Sequence, residues 1–261
     1  MPAKTRLDTL VVERGLAPSR ERARAMILAG QVTVDGQVVS KAGAPVRLDA
    51  RVDVTAPDHP WVGRGGVKLA HALDVFQVAV EGRRALDVGA STGGFTDVLL
   101  QRGARNVVAL DVGHGQLDWR LRTDPRVIVR EGVNARALTT DDVPHPVDLV
   151  TIDVAFISLR HIFPALPAVL APKADIVALV KPQFEAGREQ VGKGGLVTDP
   201  AVHDAVIEAV SAAAVTSGLR RLAMTPSVIT GATGNQEFFL HLQAGELAAS
   251  HGPRTPVRTK D

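Results

Sequence analysis

Leu86-Asp87-Val88-Gly89-Ala90-Ser91-Thr92-Gly93-Gly94-Phe95 decides how this chain of 261 residues folds. Leu86 to Val88 closes an apolar run that reads as a buried strand, and the glycines that follow break it. Glycine tolerates positive φ and carries no Cβ, so such a turn brings bare backbone close to a ligand. A helix opens at once and is expected over residues 94–102. A second strand, Val107-Val108-Ala109-Leu110-Asp111, ends in an acid. A carboxylate about 20 residues beyond the first glycine of such a turn is placed to accept both hydroxyls of a ribose. An ordinary strand-to-helix turn that binds nothing lacks that distal acid. The pattern points to a site for a nucleoside-bearing cofactor.

Glycine spacing narrows the cofactor. Gly89 and Gly93 form G-x-x-x-G with Asp87 two residues ahead, which departs from the G-x-G-x-x-G of pyrophosphate-binding turns. The turn also has no lysine of a phosphate loop. In these respects it resembles the first motif of S-adenosylmethionine-dependent methyltransferases. The resemblance implies S-adenosylmethionine as cofactor, contacts from Asp87, Gly89, Ser91, Gly93, Gly94 and Phe95, and Asp111 on the ribose. Asn134, after a strand expected at 126–130, either binds the adenine edge or caps a turn.

Composition removes other chemistries. There is no cysteine, so disulfides, thiolate zinc sites, cysteine-held iron–sulfur clusters and cysteine-dependent methylation of a pyrimidine carbon are excluded. The histidines show no metal-ligand spacing, and no metal is expected. The chain is 45% hydrophobic, enough for a sizeable core, and carries a net charge of +2. A pI near 9.2 hints at a polyanionic partner. Met1 to Arg6 has no apolar leader segment, and no apolar run approaches the roughly 20 residues of a membrane span. A cytoplasmic protein without a membrane partner is expected.

Residues 5–56 read as a small separate domain. Arg6 to Glu13 forms a short amphipathic helix ended by Gly15. Ser19 caps a second helix, Arg20 to Ala29, and Gly30 follows its end. Gln31 to Val39 is a hairpin with Asp35-Gly36 at the turn, and Val46 to Val54 adds strand. R-L-D near the start, S-R-x-x-A-x-x-x-I in the second helix and G-x-V-x-V-D-G-x-x-V at the hairpin resemble the RNA-binding domain of ribosomal protein S-four, the alpha-L motif. Arg6, Arg20, Arg22 and Arg24 would present guanidinium groups to phosphate, which gives affinity without sequence readout.

A proline-punctuated linker covers residues 57–63, and a second domain spans 64–245. Strands are expected at 84–88, 107–111, 126–130, 147–152, 175–181, 220–229 and 236–242, with helices at 68–77, 94–102, 160–170 and 199–217. This alternation predicts an α/β fold, a Rossmann-like parallel sheet with helices on both faces. The last two strands, with Gly231 and Gly234 between them, predict an antiparallel final pair. The tail, 246–261, is rich in proline and charge and is expected to be flexible.

Ligands in open α/β sheets bind beyond the carboxyl ends of the strands. Asp153 and Lys181 each follow such an end, Glu237 opens the last strand, and Lys68 lies in the helix before the first. Together they resemble the Lys-Asp-Lys-Glu tetrad of FtsJ-like ribose 2′-O-methyltransferases. The surrounding residues are closer to the TlyA family. They are Gly63-Arg64-Gly65-Gly66-Val67-Lys68-Leu69, the turn quoted first, Asp153 to Leu159, Leu179 to Glu185, and Gly231 to Glu237. Gly63 stands where the family usually has serine. Members carry a haemolysin label; the resemblance implies instead 2′-O-methylation of ribosomal RNA, typically at cytidine, on one or both ribosomal subunits. Competing readings are a non-catalytic RNA-binding or ribosome-assembly factor and a membrane-active protein.

The tetrad also makes chemical sense. A ribose hydroxyl must be aligned with the methyl donor and relieved of its proton. A lysine amine accepts that proton only when neutral, and burial with a neighbouring cation lowers its pKa. Lys181 is the expected base and Lys68 the neighbouring cation. Asp153 would orient Lys181 and also contact the cofactor near its methyl group, and Glu237 would hold Lys68 and the ribose. Arg64 and Lys193, the latter in the Gly192 to Gly195 loop, are further candidates for RNA contact.

Overall fold

The computed structural model describes residues 3–17, 19–54 and 59–245. Part of the expected linker and the whole expected tail therefore lie outside the described residues.

The N-terminal unit runs β1 (Lys4–Arg6), α1 (Leu7–Glu13), α2 (Arg20–Leu28), β2 (Val32–Val34), β3 (Gln37–Val38), β4 (Pro45–Arg47) and β5 (Val52–Val54). Ser19 caps α2 by accepting from the Arg22 amide at 3.2 Å. The Asp35-Gly36 turn closes the β2–β3 hairpin with both residues at positive φ, 50° and 81°. The strand expected over 46–54 divides: β4 pairs antiparallel with β1, and β5 with β2. Leu7, Val11, Ala23, Ile27 and Val32 fill a core of their own.

The second unit contains α3 (Gly65–Phe76), β6 (Arg84–Val88), α4 (Gly94–Gln101), β7 (Asn106–Asp111), α5 (Trp119–Arg122), β8 (Val127–Glu131) and β9 (Val147–Ile152). It continues with β10 (Leu170–Val180), α6 (Pro182–Glu185), α7 (Pro200–Thr216), β11 (Leu219–Pro226) and β12 (Phe238–Ala244). The sheet order is β11-β12-β10-β9-β6-β7-β8. From β10 to β8 the neighbours are parallel. β12 lies antiparallel between β10 and β11, as the closing pair requires. Apolar side chains on both faces bury the sheet in two layers.

The chain winds from β6 outward to β8, then returns to β9 on the other side of β6. This reversal opens a crevice at the carboxyl ends of β6 and β9, where ligands of such sheets bind. The turn after Val88 and Asp153 after Ile152 both sit there.

One expected helix is absent. Residues 160–170 form two short 3-10 turns, Leu159–His161 and Phe163–Ala168, and β10 begins at Leu170. The apolar period of Leu159, Ile162, Phe163 and Leu166 is real, and all four are buried. Pro164 and Pro167 lack the amide hydrogens an α-helix needs.

Candidate active site

The turn after β6 is shaped by packing before any ligand is considered. Gly89 adopts φ +84°, and a Cβ there would stand 2.2 Å from the Asp153 carbonyl oxygen. Glycine is thus required for the exits of β6 and β9 to touch. Gly93 adopts φ +98°, and a Cβ there would meet Leu121 Cδ1 at 2.2 Å. The residue serves the seating of α5, and it does not line either cavity of the site.

Asp87 also turns away from the cavities. It is fully buried, and its carboxylate accepts from Thr96 Oγ1 at 2.7 Å and Thr151 Oγ1 at 3.0 Å. Burial pushes its carboxyl up to about 7, against the pull of those two hydroxyls. The expected cofactor ligand is therefore a buried tie between β6, α4 and β9.

Two cavities meet at the turn. The larger, about 500 Å³, is lined by Asp111, Asn134, Val112, Val133, Ile157 and Ile162 among others. Asp111 accepts from the Ser91 amide at 2.8 Å and the Gly113 amide at 2.7 Å, which ties the turn to the end of β7. Asn134 lines this cavity, and its Oδ1 caps a short turn by accepting from the Arg136 amide at 3.1 Å, the second of the two roles the sequence allowed. An acid at the rim, apolar walls and a carboxamide form a set that suits an adenosine.

The smaller cavity, about 240 Å³, gathers Lys68, Asp153, Lys181 and Glu237 with Gly94, Phe95 and Arg64. Gly89, Ser91 and Asp153 line both cavities. Lys68, from the first turns of α3, holds Glu237 Oε2 at 2.5 Å, and both are buried. Lys181, at the exit of β10, holds Asp153 Oδ1 at 2.5 Å. The four residues come from elements separated by up to 169 positions in the chain.

The electrostatics correct one expectation. Burial pulls the Lys181 amine down, but the carboxylates of Asp153 and Glu237 more than offset it and hold it above the ordinary lysine range. The charges facing Lys181 are anions, and the Lys68 cation is already tied to Glu237. Lys181 thus begins as a cation and has to be freed of its proton before it can act as a base.

The small domain supplies part of the smaller cavity's wall through Leu28, Ala29, Gly30 and Ser40. Every cofactor and catalytic residue expected from the sequence lies after residue 62, and nothing local in residues 28–40 signals this role. Phe156 was missed too. It is 89% exposed with φ +65°, beside Asp153, and its ring lies 5.1 Å from that of Phe184. The signal was present: an aromatic residue three positions past a candidate catalytic acid.

The expected RNA contacts divide. Arg6 donates to both oxygens of Asp8, and Arg20 also reaches Asp8, at 3.3 Å. With Arg24 and Lys41 they rim an open groove on the small domain. Arg22 instead crosses to the second unit and pairs with Asp118 Oδ2 at 2.8 Å, so it is a strut between domains. Arg64 lines the smaller cavity and donates to the Thr230 carbonyl at 3.3 Å. Lys193 is exposed in its glycine loop.

Known proteins share this arrangement. A family description for FtsJ-like methyltransferases matches residues 61–244, and one for the S4 domain matches residues 5–52. The 16S/23S rRNA (cytidine-2′-O)-methyltransferase TlyA of Mycobacterium tuberculosis is 49% identical over 93% of this chain and 91% of its own. This chain belongs to the TlyA family. Hemolysin A of Brachyspira hyodysenteriae, 38% identical over 90% of this chain and 98% of its own, is similar as well. A hemolysin-named structure from Streptococcus thermophilus superposes with a TM-score of 0.73 at 42% identity, covering 94% of this chain and 90% of that one. An S-adenosylmethionine-dependent methyltransferase from Listeria monocytogenes shares the fold, at TM-score 0.51 and 14% identity, over 70% of this chain and 99% of that one. Among the described residues of this TlyA-family chain, no helix is long and apolar enough to cross a membrane.

Proposed function

We propose that this chain transfers the methyl group of S-adenosylmethionine to the 2′-hydroxyl of a ribose in ribosomal RNA, with cytidine as the nucleoside. The observation that carries the reading is the meeting of two Lys–carboxylate pairs in a cavity that shares Asp153 with a second, adenosine-sized cavity. The TlyA of M. tuberculosis is named for this reaction.

When bound, S-adenosylmethionine supplies a methyl group activated by a sulfonium charge. The larger cavity suits it. Asp111 would accept the ribose hydroxyls, Val112, Val133, Ile157 and Ile162 would cover the adenine, and Asn134 would meet its edge. Gly89, Ser91, Gly94 and Phe95 would lie along the passage to the smaller cavity, while Gly93 and Asp87 would act only by shaping the turn.

In the smaller cavity Lys181 Nζ would take the hydroxyl proton as the oxygen gains the methyl carbon and the carbon–sulfur bond breaks, leaving the cofactor as its neutral thioether. The amine would first release its own proton to solvent. Its pair with Asp153 resists this, and a positive charge seated beside Asp153 weakens that hold by Coulomb repulsion. Lys68, fixed by Glu237, steadies the negative charge that develops on the oxygen. Holding hydroxyl and methyl in line contributes about 7–11 kcal/mol. Arg6, Arg20 and Arg24 on the small domain, with Arg64 at the cavity and Lys193 in its exposed loop, would hold phosphate. Asp8 is a placeholder that RNA displaces from Arg6 and Arg20.

The test is transfer itself. Ribosomal RNA is incubated with the full chain and isotope-labelled cofactor, digested to nucleosides and weighed by mass spectrometry. Label on a cytidine ribose is expected; label on a base would overturn the reading.

A further inference from the structure

Glu185 closes the segment that follows β10, four residues past Lys181, and no step above uses it. It is buried. Its Oε1 accepts from the Leu159 amide at 2.7 Å and its Oε2 from Ser158 Oγ at 2.5 Å. Arg160 Nε stands 3.6 Å from the same carboxylate, and Arg160 Nη2 donates to the Glu185 carbonyl at 3.1 Å. Burial pushes this carboxyl above the ordinary glutamate range, against Ser158, Leu159, Arg160 and His161. A buried carboxylate is costly unless its donors are in place. Here the donors come from a different strand exit, the loop after β9.

That loop carries Asp153 at one end and Ser158 at the other. At its start the Asp153 amide donates to the Val88 carbonyl at 2.9 Å. In its middle Phe156 holds a left-handed backbone at φ +65°. A non-glycine residue there is strained and persists only where its surroundings over-determine it. Glu185 supplies the second fixed end, and the Phe156–Phe184 contact runs parallel to it.

We infer that Glu185 is a positioning residue for methyl transfer: by clamping Ser158 and Leu159 it sets where Asp153 stands against Lys181 and where Phe156 stands at the cavity mouth. This role in transfer rests on the reading of the site as a ribose methyltransferase. The clamp joins the exits of β9 and β10, the two strands whose ends provide the Asp153–Lys181 pair. Loosening it lets Asp153 drift. The groups facing Lys181 are Asp153 and Glu237, with Lys68 behind Glu237, so losing Asp153 leaves burial as the dominant influence on the amine. Its proton is then released at lower pH, while the geometry for transfer is worse.

The experiment compares the full-length parent with Glu185→Ala, Glu185→Gln and Ser158→Ala. Single-turnover transfer is followed at saturating cofactor, across a series of RNA concentrations up to saturation, over roughly pH 6–10. Separately, Lys181 is titrated without substrate by competitive acetylation read by mass spectrometry. For Glu185→Ala the maximal rate should fall about 100-fold, with KM for RNA moving far less. Both the rate profile and the acetylation profile should move acidward by about one unit. Glu185→Gln keeps an acceptor for Leu159 and should recover most of the rate and the parent profile. A merely structural role would lower stability in all variants and leave both profiles where they were.

If an active parent and Glu185→Ala agree in rate and in Lys181 titration, the clamp is refuted and the assigned reaction stands. If the parent transfers no methyl to ribose, the reaction is refuted, and the acetylation profiles alone decide whether Glu185 places Asp153. Should Glu185→Ala not fold, Ser158→Ala must show part of the acidward shift, and its absence overturns the inference.

Discussion

The two ends of the large sheet hold ion pairs on the same two strands, and they are built from different cations. β9 carries Asp148 near its start and Asp153 just past its end; β10 carries Asp175 at its midpoint, level with the start of β9, and Lys181 just past its end. At the level of the β9 start, Arg84 grips Asp148 through two bonds of 2.9 Å, and Arg83 donates to Asp175 at 2.5 Å. His241 adds a contact to Asp175 at 2.8 Å and stacks on Phe76 at 5.3 Å. At the ends, both cations are lysines. A guanidinium is planar, always charged and forks onto a carboxylate; an ammonium can give up its proton. The arginine end can only brace. The lysine end is held almost as tightly and can still take part in chemistry.

The sharpest break of this contrast is Lys181→Ala. Transfer should fall about 1,000-fold, while the thermal midpoint and cofactor affinity stay close to the parent. Lys181→Arg should fail as completely, since guanidinium cannot act as the base. In the parent, the rate should rise tenfold per pH unit through neutrality, because Lys181 is held protonated. Retention of even a tenth of the rate in either variant would remove Lys181 from the base role.

At the bracing end, Asp175→Asn should cost about 2 kcal/mol in denaturant unfolding and leave the transfer rate unchanged. Burial pushes the Asp175 carboxyl up, but His241 and Arg83 together bring it below the ordinary carboxylate range. A carboxyl depressed in the folded state stabilises above its unfolded value and stops doing so as pH falls. The parent should therefore lose stability below about pH 4, and Asp175→Asn should lose less over that range. A variant that unfolds at the same midpoint yet turns over slowly would show that the two ends are not separable.

Asp111→Ala tests the larger cavity. Its loss removes charge-assisted hydrogen bonds worth roughly 1.5–3 kcal/mol, so calorimetric titration should find cofactor affinity at least tenfold weaker. Equal affinity would mean that Asp111 only ties Ser91 to Gly113. The smallest effect is expected at the strut between domains. Arg22→Ala should cost under about 1 kcal/mol, because the arginine is partly exposed. Its RNA affinity in filter binding should fall less than that of Arg20→Ala, whose partner Asp8 can yield to phosphate. The reverse order would return Arg22 to the RNA surface.

Most of the local structure was legible. A capping serine, an Asp-Gly turn, glycines after an apolar strand and the apolar periods of α4 and α7 each act over a few residues, and each appears where its chemistry puts it. The region 160–170 misled because period and backbone chemistry disagreed: four buried apolar residues at helical spacing, two prolines that forbid the helix. Arg22 was ambiguous because a basic helix face looks alike whether it meets phosphate or another domain. Lys181 misled because its titration depends on which charges face it, and two anions do.

The sequence by itself determined the elements, the strand ends that carry acid and amine, and the family to which the whole belongs. Tertiary structure decided the pairings: Lys68 with Glu237, Lys181 with Asp153, Arg22 with Asp118, and the small domain as a wall of the smaller cavity. Periods of two and 3.6 residues say which face of an element is buried. They do not say which elements lie side by side. That follows from packing over the whole chain, which sets the sheet order and the seating of the small domain, and with them contacts between residues up to 169 positions apart.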